Sequence, residues 1–180
     1  MEADQIIAQT KSWVKDIVIG LNFCPFANKE FINETIRYVV DDSDDFEINL
    51  TTFLTELHFL DKSEFETSLL IFPESYSDFQ DYLDLVDTAN DILLEFGYEG
   101  VYQIASFHPE YRFEHTKKED AANYTNRSPY PMLHIIREAS LEKAISSYEN
   151  VDKIPENNEK LAREKGIKFF ETILQNIKKQ

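Results

Sequence analysis

Cysteine, glycine, proline and arginine are all scarce in this chain. Its 180 residues include one cysteine, four glycines, six prolines and five arginines. A lone cysteine cannot close an internal disulfide, which suits a reducing compartment, and a cytoplasmic location is expected. With so little glycine and proline, long disordered stretches are not expected. No apolar run approaches the roughly 20 residues that span a bilayer, so no membrane-spanning helix is expected. The opening Met1-Glu2-Ala3-Asp4 is acidic and lacks the basic stretch of a signal peptide. Positive charge is short as well: 18 Lys and Arg against 34 Asp and Glu leave a net charge of −16. That balance argues against nucleic acid and anionic membrane surfaces as partners, because phosphate binding needs clustered cations.

What is present is apolar material. Hydrophobic residues make up 42% of the chain and aromatics 13%. That supplies one buried core, so residues 1–180 read as a single globular domain. Ile6, Ile7, Trp13, Val14, Ile17 and Leu21 recur at helical spacing up to Gly20. "NFCPFA" (22–27) then reads as a turn, since Pro25 keeps Cys24 out of helical geometry. "IRYVV" (36–40) reads as a strand, and the acidic "DDSDD" leads into a helix over Phe46 to Leu60. "SLLIF" (68–72) reads as a buried strand. Ser77 and Gln80 suggest a capping box for a helix whose apolar stripe is Phe79, Leu83, Val86, Ala89, Leu93 and Phe96, with Gly97 as the stop. Strands over 100–107 and 132–137 flank a long loop. Two helices close the chain, near 141–148 and 156–178. The alternation predicts an α/β fold, with α+β as the alternative: a mixed sheet of about four strands covered by helices.

The loop from His108 to Pro131 is longer than the ~12–15 residues usual for a connection without structure of its own, which points to function or disorder. The stretch from Ala105 to Glu138 holds three of the four histidines, three of the five arginines and three of the six prolines. From Ser106 to Glu138 five cations balance five carboxylates, so the whole net charge lies elsewhere. Prolines and aromatics here argue for order. Arg offers a planar fork for carboxylate or phosphate, and Asn offers both a donor and an acceptor. Arg112, Asp120, Asn123, Asn126, Arg127 and Tyr130 are therefore the expected substrate-binding residues, with a small anionic molecule as partner. The structural alternative is that Arg127 pairs with Asp120 or Glu138 and the asparagines cap turns. His58 reads as a surface residue.

Cys24 supplies a nucleophile if a histidine reaches it. His108 or His134 is the expected base, and the catalytic set is Cys24, His108 and His134, as in a cysteine-dependent hydrolase or transferase. His108 and His134 would converge if their strands paired in a suitable register. A second arrangement has His108, Glu110 and His115 or His134, with Asp120, binding a divalent metal in a protein without catalysis. A third has the pocket binding an anionic metabolite only. The residue types select no cofactor, metal or oligomeric state. For Cys24 itself, flanking Phe23 and Phe26 also suit a small buried hydrophobe.

Two resemblances bear on these readings. "FCPFA" is similar to the Cys-Pro-Phe turn of glutathione-using thioredoxin-like proteins, including omega-class glutathione transferases. That fold needs a strand before the motif, whereas "TKSWVKDIVIG" reads as helix. A longer likeness covers nearly the whole chain. Trp13, "GLNFCPFA" (20–27), "FHPEYRF" (107–113), and Asp120 with "NYTNRSPYPMLHIIRE" (123–138) resemble an uncharacterised bacterial family classed as a domain of unknown function. The resemblance ties Cys24 and the late loop to one protein type and implies no mechanism.

Overall fold

Strand β2 (Thr67–Ile71) is buried at every position because it is flanked by strands on both edges and helices on both faces. The computed structural model, which describes residues 2–146, 148 and 150–180, arranges β1 (Ile36–Val40), β2, β3 (Tyr102–Phe107) and β4 (Met132–Arg137) in the order β1-β2-β4-β3. β1 and β2 run parallel, and β4 runs antiparallel to both β2 and β3. The fold is α/β with a four-stranded mixed sheet. A continuous apolar run such as "SLLIF" is what a strand covered on both faces requires.

Seven α-helices are described: α1 (Ala3–Trp13), α2 (Ala27–Ile32), α3 (Phe46–Leu60), α4 (Phe79–Glu95), α5 (Glu138–Ser146), α6 (Ile154–Lys165) and α7 (Ile167–Ile177). On one sheet face, Leu69, Ile71 and Met132 pack with Ile6, Trp13 and Ile17 from the N-terminal helix and with Ala162, Phe170 and Ile177 from α6 and α7. On the other, Leu70, Leu133 and Ile135 pack with Phe53 and Leu57 of α3 and with Tyr82, Leu85 and Ala89 of α4. Each core cluster draws alternate residues of the central strands, the period of a pleated sheet.

Several local expectations change. The cap of α4 is Asp78, whose carboxylate accepts from Gln80 N–H, and not a Ser77 capping box. The buried stripe of α4 is Tyr82, Leu85, Ala89 and Leu93, while Phe96 is exposed. Tyr82 joins the core because its hydroxyl is satisfied there, donating to the Met132 carbonyl and accepting from Phe107 N–H. The last helix breaks at Gly166, whose φ of +76° suits glycine, into α6 and α7. α2 was not expected. α5 begins directly after β4, and Ser147, within the expected 141–148 helix, lies outside the described residues.

The long loop is ordered by its own polar residues. A 3₁₀ turn (Ala121–Thr125) crosses it, and Tyr124 stacks on Phe170 with ring centroids 4.9 Å apart. Trp13 donates from its indole N–H to the Arg127 carbonyl at 3.0 Å and meets Phe107 edge-on at 5.1 Å. Trp13, the 107–113 segment and the loop around Arg127 thus form one packed unit.

Candidate functional site

Cys24 is delivered by an unusual helix end. After Trp13 the first helix widens into a π-helical stretch, Val14–Ile19, closed by Gly20 N–H to the Lys15 carbonyl. The wide turn brings the Asp16 carbonyl to Gly20, where an added Cβ would sit 2.5 Å from that oxygen. Only glycine fits. Asn22 then takes a left-handed φ of +56°, a conformation Asn tolerates better than most residues. The chain thereby reverses and presents Cys24 just before α2. π-Helical turns of this kind occur often at functional sites.

Cys24 lies between two spaces. On one side it shares a cavity of about 110 Å³ with His134, Thr67, Glu30, Glu66 and α5. On the other it borders a groove of about 360 Å³ that includes Phe23, Phe107, Phe113 and Asn126. Burial pushes the thiol above its ordinary pKa, partly offset by the backbone N–H groups of Phe26 and Ala27. Cys24 therefore rests as a neutral thiol at neutral pH.

His134 faces this cavity from β4. Its Nε2 lies 2.6 Å from Thr67 Oγ1, which itself donates to the Ile135 carbonyl at 2.6 Å. A hydroxyl has one proton. With that proton on the Ile135 carbonyl, Thr67 must accept from His134, so Nε2 carries the hydrogen and Nδ1 keeps its lone pair. Among the described residues no group hydrogen-bonds Nδ1, and it is not among the buried polar atoms that lack a partner. It is an acceptor on a ring that lines the cavity together with a thiol. Burial lowers the His134 pKa to about 4, so the ring is neutral across the physiological range. No hydrogen bond joins Cys24 to His134 among the described residues; both line the same cavity.

The structure does not bring His108 to Cys24. Ala105 pairs with His134 across β3 and β4, so position 108, three residues on, faces the opposite side of the sheet. There His108 packs on Phe79 and Tyr82. Its Nδ1 accepts from Glu110 N–H at 2.9 Å and its Nε2 donates to the Tyr76 carbonyl at 2.8 Å. Both nitrogens are used, and burial lowers its pKa. The expected convergence of the two histidines fails on register. His108, Glu110 and His134 do not meet as a metal site either, and among the described residues no three His, Cys, Asp or Glu side chains cluster to hold a metal. His58 is exposed, as expected.

The expected substrate-binding residues mostly hold the loop. Asn123 is fully buried: its Oδ1 accepts from Phe113 N–H and Thr116 Oγ1, and its Nδ2 donates to the Lys117 carbonyl. Arg127 donates to the carbonyls of Tyr111 and Lys118 and lies over the Tyr124 ring. Asp120 pairs with Arg163 of α6 at 3.0 Å, which holds its carboxyl below the usual range. Tyr130 is buried, its hydroxyl bonded to Gln9. Arg112 is exposed. Asn126 alone of this set borders Cys24, through the larger groove, while its Nδ2 donates to the Ser106 carbonyl.

Thr67, Glu30 and Glu66 were missed. Thr67 and Glu66 lie in or beside β2 and reach the cavity through the tertiary fold, while Glu30 lies on α2, six residues after Cys24.

The family described as "Protein of unknown function (DUF1415)" matches residues 5–172. The chain belongs to that family. No curated protein and no solved structure matches it. The matched span of the DUF1415 domain contains Cys24, Thr67 and His134 together. In the segment before "FCPFA", the structure has helix where a thioredoxin-like fold would have a strand. No helix is long and apolar enough to cross a membrane among the described residues.

Proposed function

We propose that the DUF1415 domain acts on a small molecule through Cys24 as nucleophile and His134 as base, a hydrolase or transferase chemistry in the cytoplasm. The observation that carries this reading is the cavity that Cys24 and His134 both line, together with the Thr67 contacts that fix the imidazole tautomer. The net charge of −16 supports a small-molecule partner over nucleic acid or an anionic membrane.

In the forward step Sγ forms a bond to an electrophilic carbonyl carbon as its proton moves to His134 Nδ1, through the group or water held between them. Collapse of the adduct breaks the bond to the leaving heteroatom, which takes the proton from Nδ1. The thioester left on Cys24 is released by water or by a second acceptor, with the same base. Moving a proton from a thiol above ~8.5 to an imidazole near 4 is uphill by at least about 6 kcal/mol. A turnover of about ten per second allows a barrier of roughly 16 kcal/mol, so the step is affordable only in concert with bond formation.

The raised thiol pKa favours a second reading, a binding protein without chemistry. Intact-mass analysis after exposure to p-nitrophenyl acetate separates the two. A catalytic pair gives one acetyl adduct on Cys24, none in Cys24→Ser, and acylation at least tenfold slower in His134→Gln. An adduct spread over lysines, or one indifferent to His134, contradicts the nucleophile reading.

A further inference from the structure

We propose that the free edge of β1 is a docking strand: an extended segment of a partner protein, basic at its ends, adds to the sheet beside it. The inference stands apart from the reading of Cys24 and His134, and neither depends on the other.

The sheet has two edges, β1 and β3. The chain covers the end of the β3 edge itself. Asn126 takes the place of a neighbouring strand there: its Nδ2 donates to the Ser106 carbonyl at 3.1 Å, and its own carbonyl accepts from His108 N–H at 3.2 Å. β1 is left open. In a strand, the backbone N–H and C=O groups of successive residues point to opposite edges. The Thr35 carbonyl accepts from Glu66 N–H, and Asp41 N–H donates to the Ile71 carbonyl, so the odd positions of β1 bond to β2. The backbone groups of Ile36, Tyr38 and Val40 therefore point away from the sheet. Among the described residues they take no hydrogen-bond partner.

A groove of about 560 Å³ opens on this edge. It draws on both sheet faces: Ile36 and Tyr38 pack with the core under α1, and Phe65 packs with the opposite core. Ile7 and Phe31 add apolar walls. An added strand would find backbone partners on β1 and apolar surface for alternate side chains, the two elements of recognition by strand addition. Proteins usually blunt such an edge with proline, lysine, a bulge or a cover. β1 has no proline and carries Ile, Tyr and Val, which favour strands. Its one cation, Arg37, is drawn onto Glu56 of α3 by two hydrogen bonds of 2.9 and 3.2 Å.

Charge selects the occupant. Exposed carboxylates stand at both ends of β1, Glu34 before it and Asp42 and Asp44 after it. None of the three has an ion-pair partner among the described residues. Lys11 also lines the groove, with its ammonium 5.2 Å over the Tyr38 ring, beside the middle of the strand rather than its ends. A second copy of the chain fits badly. Antiparallel self-pairing centred on Tyr38 sets Glu34 of one copy across from Asp42 of the other, and each copy carries a net charge of −16. An extended segment with Lys or Arg at its ends meets opposite charge at both.

The probe is a short synthetic peptide of alternating valine and threonine with lysine at both ends, followed by amide hydrogen exchange and by fluorescence anisotropy of its labelled form. Binding should slow exchange at Ile36, Tyr38 and Val40, whose amides are unpaired in the free protein, and leave Arg37 and Val39 little changed. Methylation of the peptide's backbone nitrogens, or glutamate in place of its lysines, should weaken binding by about tenfold or more. Glu34→Gln with Asp42→Asn should weaken it about threefold or more, while Glu95→Gln, exposed on α4, should not. No protection at the three amides, or binding that ignores backbone methylation, overturns the proposal. Protection that grows with protein concentration in the absence of peptide would make a second copy the occupant and equally overturns it. None of these results bears on Cys24 alkylation, so the thiol site stands or falls separately.

Discussion

Thr67 Oγ1 stands 2.6 Å from His134 Nε2 and 2.6 Å from the Ile135 carbonyl oxygen, and a single hydroxyl proton must serve both contacts. Giving that proton to the carbonyl fixes the imidazole with Nε2 protonated and Nδ1 bare, on a ring that lines Cys24's cavity. Thr67 is thus a positioning residue, acting through His134. Nitrogen-15 shifts of the ring nitrogens report the tautomer directly. Thr67→Ser should keep the Nε2–H form. Thr67→Val, which removes both partners, should mix the tautomers, and an unchanged spectrum in that variant contradicts the assignment.

His134 also couples stability to pH. Its folded pKa, about 4, lies below the ~6.5 of an unfolded histidine. Between those values the unfolded chain binds more protons, so stability falls as pH drops from about 6.5 toward 4, by up to about 3 kcal/mol for this group. His108, also lowered, acts in the same direction. Urea titrations at pH 7 and 5 should therefore show a smaller pH-dependent loss in His134→Gln than in the parent chain. An identical loss would place the proton uptake elsewhere.

His108 is predicted to be structural. It ties the carbonyl of Tyr76, a residue held at φ +56°, and receives the Glu110 N–H. His108→Phe should cost about 1–3 kcal/mol, because two part-buried backbone groups lose partners. Trp13, the one tryptophan and 1% exposed, reports the transition by fluorescence. Native-state alkylation of Cys24 should not change, since His108 is across the sheet.

Asn123 and Arg112 should separate loop integrity from surface charge. Asn123→Ala strands several part-buried partners of a fully buried side chain and should destabilise by about 2–4 kcal/mol. Arg112→Ala, at an exposed position, should stay within about 0.5 kcal/mol. Comparable losses by chemical denaturation would mean that the loop is held in another way.

Much of the fold was legible in the residues. β1 and β4 match the expected strands, and the alternation of helices with short apolar runs pointed to the mixed sheet. α2 escaped because six residues make under two turns, too few for a periodicity to show. The long loop was expected to be ordered, and it is held by the Tyr124–Phe170 stack and by the hydrogen bonds of Asn123 and Arg127. Its asparagines and Arg127 are spent on backbone carbonyls and amides, which residue type alone does not distinguish from ligand contacts. A shared cavity for Cys24 and His134 was within the expected set, whereas preferring His108 depended on strand register. A shift of one residue exchanges faces, and no side-chain type announces that parity. Glu66 and Thr67 joined the site through the placement of β2 beside β4, a long-range fact, whereas Glu30 came from the short α2 that the sequence did not reveal.

The central claim is that Cys24 is a native, accessible thiol in a neutral pair with His134. Its alkylation by iodoacetamide, followed from pH 5 to 11 in the folded protein, tests this most directly. The account predicts measurable native-state reaction, rising through a single ionisation above ~8.5, with no fast plateau at low pH. Reaction only after unfolding would make Cys24 a core residue, and a plateau extending below pH 7 would reveal a resting thiolate. Either result contradicts the neutral thiol–imidazole site.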